Sequence, residues 1–164
     1  MTSTPEPARS PPLGERRLAW LLVLGQFSLL GLIVFLPGAG TWTLPVALTR
    51  AARFAEGAGI IVMVVAATAL GRGLTAVPLP NSHAELRTGG LYRYVRHPIY
   101  AGLLLFAVAR TFTSGSLWTL SVCATLVVLV NAKARWEERH LAQRFPGYAA
   151  YAARTPRFVP RPTR

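Results

Sequence analysis

Cysteine is nearly absent from this chain. Cys123 stands alone among 164 residues, which excludes an intrachain disulfide and any cysteine-based metal cluster and leaves core packing as its expected role. Acid is scarce too: six residues, all glutamate, face 18 basic residues, for a formal net charge of +12. Charged residues of both signs make up only 15% of the chain, and no internal repeat is discernible. What fills the sequence instead is apolar. Hydrophobic residues are 52% of the total and mean hydropathy is +0.37, too apolar for an ordinary soluble domain of this length.

The apolar residues lie in long runs. Leu18 to Leu36, LAWLLVLGQFSLLGLIVFL, holds 19 residues without a charge, about what a bilayer's hydrocarbon core requires. Arg16 and Arg17 before it and Gly38-Ala39-Gly40 after it give it some likeness to a cleaved secretory signal, but the run is long for that and further apolar segments follow. The reading is an all-α, polytopic membrane protein of about four transmembrane helices, over 18–36, 54–72, 98–112 and 116–133. The last two form a helical hairpin, and a disordered tail over 1–14 precedes a single membrane domain over 15–164. Segments 73–98 and 134–164 lie on the water-facing side of the bilayer.

The charge could suggest nucleic acid as a partner, yet its placement argues for a lipid bilayer instead. With the N-terminus inside, 15 of the 18 basic residues fall on the cytoplasmic side, and only Arg50, Arg53 and Arg110 fall at the other. This positive-inside pattern puts both termini in the cytoplasm. Arginine at 17 of the 18 basic positions, with abundant alanine and glycine, suits a GC-rich bacterial genome and hence a bacterial cell membrane.

Two of the spans are marked by their ends. Gly71-Arg72-Gly73 closes the second, and Thr75 to Thr88, with Pro78, Pro80 and Asn81, reads as an irregular loop. Thr111 to Ser116 reads as the loop of the hairpin. The apolar run after it, Leu117 to Val130, would cover only about 21 Å, but nothing breaks the helical pattern before Gln143. A helix of roughly 27 residues, some 40 Å long, is therefore expected to lift Glu137 and Glu138 above the hydrocarbon. Pro146-Gly147 ends it, with Tyr148, Tyr151 and Phe158 expected as interfacial anchors of a basic tail. Trp20, Trp118 and Trp136 near helix ends fit the same interfacial pattern.

Polar, ionisable and aromatic groups concentrate in two places. The first is Thr88-Gly89-Gly90-Leu91-Tyr92-Arg93-Tyr94-Val95-Arg96-His97-Pro98-Ile99-Tyr100, immediately before an apolar helix whose first turn suits Pro98. Arg96 and His97 beside that helix N-terminus could receive a carboxylate or phosphate, or could simply anchor the chain at the headgroups. The second is Glu137-Glu138 within NAKARWEERHLAQRF. A solvated helix face carrying a Lys133 to Glu137 surface pair is the plain alternative there.

Together and in this order, LRTGGLYRYVRHPIYAG and ARWEERHLAQRFPGYAAYAARTPRFVPR resemble the isoprenylcysteine carboxyl methyltransferase family and its phospholipid-methyltransferase relatives, over roughly Leu70 to Pro160. The resemblance implies methyl transfer from S-adenosylmethionine, at the cytoplasmic membrane face, to a lipophilic acceptor. Carried over by position, Glu85, Leu86, Arg87, Tyr92, His97, Pro98, Ile99, Tyr100 and Glu137 are expected to line the cofactor pocket. Lys133 or Arg135 would be the basic group near the acceptor. Pro146-Gly147 departs from the family's usual Gly-led turn, and the N-terminal half has no motif to align.

The chemistry of the residue types agrees. The cofactor carries a carboxylate, an ammonium, a sulfonium and an adenine, for which Arg96, His97, Glu137, Tyr92 and Tyr100 supply cations, an acid and aromatic faces. A tyrosine face near the sulfonium is favourable by about 0.5 to 2 kcal/mol. An ionised carboxylate acceptor needs no general base, whereas an amine acceptor needs a proton sink, for which Glu138 and His97 are candidates. Arg96, Glu138, Lys133 and Arg135 thus form the catalytic candidate set, with no metal. An NADPH-dependent membrane reductase of the sterol-reductase type, similar in its Arg-His-Pro-x-Tyr segment, stands as the alternative, and a non-enzymatic membrane scaffold as a third.

Overall fold

Prolines bound the first two helices. Pro12 precedes α1 (Leu13–Phe35), which ends just before Pro37, and Pro45 precedes α2 (Val46–Leu70). α2 closes on Gly71, at φ +50, whose amide donates back to the carbonyls of Ala67 and Thr68. A 3-10 turn over Gly71–Gly73 follows, and a second, Gly90–Arg93, leads to α3 (Pro98–Ser114) with Pro98 in the first turn. α4 (Leu117–Arg144) and the short α5 (Tyr148–Arg154) complete the chain. The computed structural model describes residues 12–75, 77 and 85–161, and among them there is no strand. Most of the expected N-terminal tail, and the Pro78, Pro80 and Asn81 portion of the expected loop, lie outside the described residues.

The hairpin loop is shorter than the sequence suggests. Thr111 to Ser114 belong to α3, because their hydroxyls bond back into the helix: Thr111 to the Ala107 carbonyl at 2.8 Å, Thr113 to that of Arg110 at 3.0 Å and Ser114 to that of Thr111 at 2.8 Å. Only Gly115, at φ +61, and Ser116 turn the chain, and the Ser116 hydroxyl accepts from the Thr119 amide to start α4.

Pair contacts fix the directions. Glu56 meets Thr113 while Ala66 meets Tyr92, Glu15 meets His140 while Gln26 meets Lys133, and Tyr100 meets Glu137, so α2 with α3, α1 with α4 and α3 with α4 run antiparallel, and α1 and α3 run parallel. The start of α1, the end of α2, the start of α3 and the end of α4 therefore share one end of the bundle. α2 and α3 cross at Gly59 and Gly102, so closely that a Cβ on Gly59 would lie 2.6 Å from the Gly102 carbonyl oxygen. Ile33, Leu103, Ala107, Cys123, Leu126 and Val130 form the buried core joining α1, α3 and α4.

Three helices, Leu13–Phe35, Val46–Gly73 and Leu117–Arg144, are long and apolar enough to cross a membrane, and α3 is a shorter apolar helix of 17 residues. Their outward faces are apolar, with Phe27, Phe35, Ile61 and Val128 more than half exposed, as a lipid-facing surface requires. α4, at 28 residues, is about 42 Å long, more than the roughly 30 Å of a bilayer's hydrocarbon.

Candidate functional site

The residues just before α3 are held in place by the chain that follows α5. The amides of Arg96 and His97 donate to the carbonyls of Pro156 and Arg157 at 2.8 and 3.1 Å. Arg96 Nη1 caps α5 by donating to the carbonyls of Ala152 at 2.7 Å and Thr155 at 2.5 Å. The rest of its guanidinium turns to α4, where Nε and Nη2 donate to Glu138 Oε1 at 3.1 and 2.9 Å.

Glu138 is the hub of this corner. Arg157 grips both of its oxygens, Nε to Oε1 at 2.9 Å and Nη2 to Oε2 at 2.6 Å, and Arg157 Nη1 reaches Asn131 Oδ1 at 3.0 Å. His97 Nε2 lies 3.2 Å from Glu138 Oε1. These charge-assisted bonds tie the pre-α3 segment, α4 and the C-terminal segment together. The Glu138 hydrogen bonds and charge raise the Arg157 pKa against the opposing effect of burial.

Beside that corner a cavity of about 310 Å³ opens, within the range of small-ligand sites. Its walls include Glu85, Leu86, Arg87, Tyr92, Arg96, His97, Pro98, Ile99, Tyr100, Lys133 and Glu137. Tyr100 stacks on the buried His97 ring, centroids 5.4 Å apart and 12° from parallel, and its hydroxyl donates to Glu137 Oε2 at 2.9 Å. Lys133 Nζ sits 5.4 Å from the Tyr100 ring centroid. Glu85 and Arg87 pair with each other at 3.0 Å on the exposed rim.

Two sequence candidates stand apart from the cavity wall. Arg135 is exposed on α4, and Glu138 has both oxygens engaged by Arg96, His97 and Arg157. Lys133, for which a solvated helix face was the plain alternative in sequence, is 2% exposed and donates to Gln26 Oε1 at 2.8 Å. Tyr148 and Tyr151, expected as interfacial anchors, are buried in the wall, and Trp136 is buried edge-on to His140 rather than interfacial. Trp20 and Trp118 are exposed.

Sequence reasoning missed Gln26, Phe27, Leu70, Gly73, Leu74, Thr75 and Leu141 in the wall. Gln26 carried a usable signal, being an amide in the middle of the first apolar run. The other side chains gave none.

Tyrosine chemistry dominates the polar wall. The Tyr151 hydroxyl donates to the Tyr92 carbonyl at 2.6 Å, and that of Tyr92 to the Ala66 carbonyl at 3.2 Å. Burial pushes the Tyr151 phenol up to about 12 against the opposing charge of Arg96, and burial with Glu137 and Tyr151 pushes Tyr92 higher still. Both remain hydroxyl donors at neutral pH. The Tyr148 hydroxyl is buried and has no hydrogen-bond partner among the described residues.

The arrangement offers a carboxylate, buried cations, aromatic faces and an apolar approach in one cavity at the motif-bearing end of the bundle. A curated protein from Cupriavidus metallidurans, named cobalt-zinc-cadmium resistance protein CzcN, is 34% identical over 124 residues, covering 74% of this chain and 53% of its own. The chain thus spans about half the length of the curated relative it matches. Residues 51–147, most of α2 through the end of α4, with the first motif segment and the Glu137-Glu138 part of the second, match the phospholipid methyltransferase family, and the chain belongs to that family.

Proposed function

We propose that this chain is an integral membrane methyltransferase that uses S-adenosylmethionine and methylates a lipophilic acceptor. We place the cavity end of the bundle and both termini in the cytoplasm of a bacterial cell, the side on which the basic residues concentrate. One observation carries the reading. The two motif segments, far apart in sequence, meet around a single cavity in which Tyr100 bonds to Glu137.

The residues present fit the cofactor. Glu137 offers its carboxylate to an ammonium, the faces of Tyr92 and Tyr100 suit a sulfonium, and Leu86, Ile99 and Leu141 suit a flat base. His97, Pro98 and the Glu85 to Arg87 rim complete the walls. When bound, S-adenosylmethionine supplies a methyl group on a positively charged sulfur, ready for in-line displacement.

On the acceptor side the geometry favours Lys133 over Arg135, since Lys133 lines the cavity and Arg135 is exposed outside it. A buried ammonium beside the nucleophile favours an anion, and a carboxylate is already ionised at neutral pH. A lipid amine would be repelled in its protonated form, and Glu138 is fully occupied and poorly placed to take its proton. The protein would then act by aligning the carboxylate against Lys133 and by excluding water with Phe27, Leu70 and Leu74.

Incubating the purified protein with methyl-labelled S-adenosylmethionine and membrane lipid extract, followed by mass spectrometry, tests this. Label in a methyl ester of an acidic lipophile is expected. Label on lipid amines would overturn the carboxylate assignment, and no labelled lipophile in any extract would overturn the activity.

A further inference from the structure

Four tyrosines line the cavity, and three of their hydroxyls are spent. Tyr92 donates to the Ala66 carbonyl, Tyr100 to Glu137 and Tyr151 to the Tyr92 carbonyl. Tyr148 is different: it is 4% exposed, it lines the same cavity, and its hydroxyl has no partner among the described residues. A buried hydroxyl left unsatisfied costs about 1 to 3 kcal/mol, so folded proteins keep one where something else completes it.

We propose that Tyr148 is a further binding residue of this cavity, its hydroxyl donating a hydrogen bond to a neutral acceptor atom in the nucleoside half of the cofactor. The proposal rests on the cofactor reading above.

Position selects the nucleoside half. Leu141 lies eight positions beyond Lys133, about 12 Å along α4, with Glu137 midway. The chain then turns into α5, and a Cβ on Gly147 would lie 3.7 Å from Leu86. Tyr148, the next residue, therefore enters the cavity wall from the Leu86 side. The Tyr151 ring lies edge-on to that of Tyr148 at 6.1 Å between centroids, an aromatic edge beside which a purine can sit.

Charge selects a neutral acceptor atom. Burial, then the Glu138 carboxylate, push the Tyr148 phenol above its ordinary value, with Arg96 opposing and Glu137 adding to the rise. The hydroxyl keeps its proton and donates, while a ligand carboxylate placed there would face Glu138 and Glu137 with Arg96 opposing them. A ribose oxygen or an adenine nitrogen meets no such repulsion. The ring is also held in advance, since Arg96 clamps α5 through the carbonyls of Ala152 and Thr155.

The test is Tyr148→Phe in the full chain, titrated calorimetrically with S-adenosylhomocysteine and with 5′-methylthioadenosine, which lacks the amino-acid half. Both ligands should bind about three- to tenfold more weakly, the loss expected for one hydrogen bond. The ligand-free variant should melt no lower than the parent, because the hydroxyl has no partner to lose. Unchanged affinity for both ligands would overturn the proposal, the hydroxyl then being served by water alone. So would weakened binding of S-adenosylhomocysteine with methylthioadenosine unaffected, or a melting point several degrees lower. If the parent protein binds neither ligand, the cofactor reading itself fails and this proposal with it.

Discussion

Lys133 of α4 donates to the side-chain carbonyl of Gln26 in α1 at 2.8 Å, and both side chains are buried. The bond brings the first helix, outside both motif segments, into the wall of the cavity. It also holds the chain's only lysine, buried, against the cavity, where an unpaired charge would be costly.

Lys133→Met should therefore separate the two halves of the site. It keeps the length and apolar stem of the lysine while removing its charge. Affinity for S-adenosylhomocysteine should stay within about threefold, and methylation of an acidic acceptor should fall by at least tenfold, the order expected for one charge-assisted bond. Arg135→Met, exposed and outside the cavity, should leave both measurements unchanged.

Glu138 is expected to hold the fold of this corner rather than to react. Glu138→Gln leaves two guanidinium groups and His97 facing a neutral amide. Breaking a buried ion pair from one side costs about 3 to 5 kcal/mol, and the partial exposure of Arg157 moves the expectation to the lower part of that range. Thermal unfolding in detergent should show a clear drop in midpoint. Retained stability with lost turnover would point instead to a chemical role for Glu138.

The crossing of α2 and α3 gives a paired prediction. Gly59→Ala would place a Cβ 2.6 Å from the Gly102 carbonyl oxygen and 2.8 Å from the Phe106 amide nitrogen, both backbone atoms that cannot swing away. About 1 to 3 kcal/mol of destabilisation is expected, together with weaker ligand binding, because the Tyr92 bond to the Ala66 carbonyl ties α2 to the turn that leads into α3. Gly57→Ala, one helical face away with nothing within 4 Å of the added carbon, should be neutral or slightly stabilising. Circular dichroism melts of the two variants compare them directly.

Much of this was legible in the sequence, and the parts that were not have physical reasons. Arg96 to Tyr100 stood out because the polar and ionisable groups are contiguous and abut an apolar helix, so local density announced them. Glu137 was legible because α4 lacks any breaker before its end, and the helix runs unbroken through it to Arg144. Lys133 and Arg135 could not be separated, since two positions on a helix differ by the face they occupy and only the packing of α1 decides which face is buried. Tyr148, Tyr151 and Arg157 looked like a basic aromatic tail because their roles depend on the chain folding back along Arg96 and His97, a long-range pairing with no local signature. Thr111 to Ser114 read as a loop because hydroxyl residues favour turns, and their bonds back into α3 reversed that preference.

The most direct measurement is calorimetric titration of the folded protein in detergent with S-adenosylhomocysteine, alongside Glu137→Ala and His97→Ala. The account predicts one saturable site in the parent, weakened at least tenfold in each variant while the variants keep their helical content. No binding by the folded parent, or binding unaltered in both variants, would contradict it.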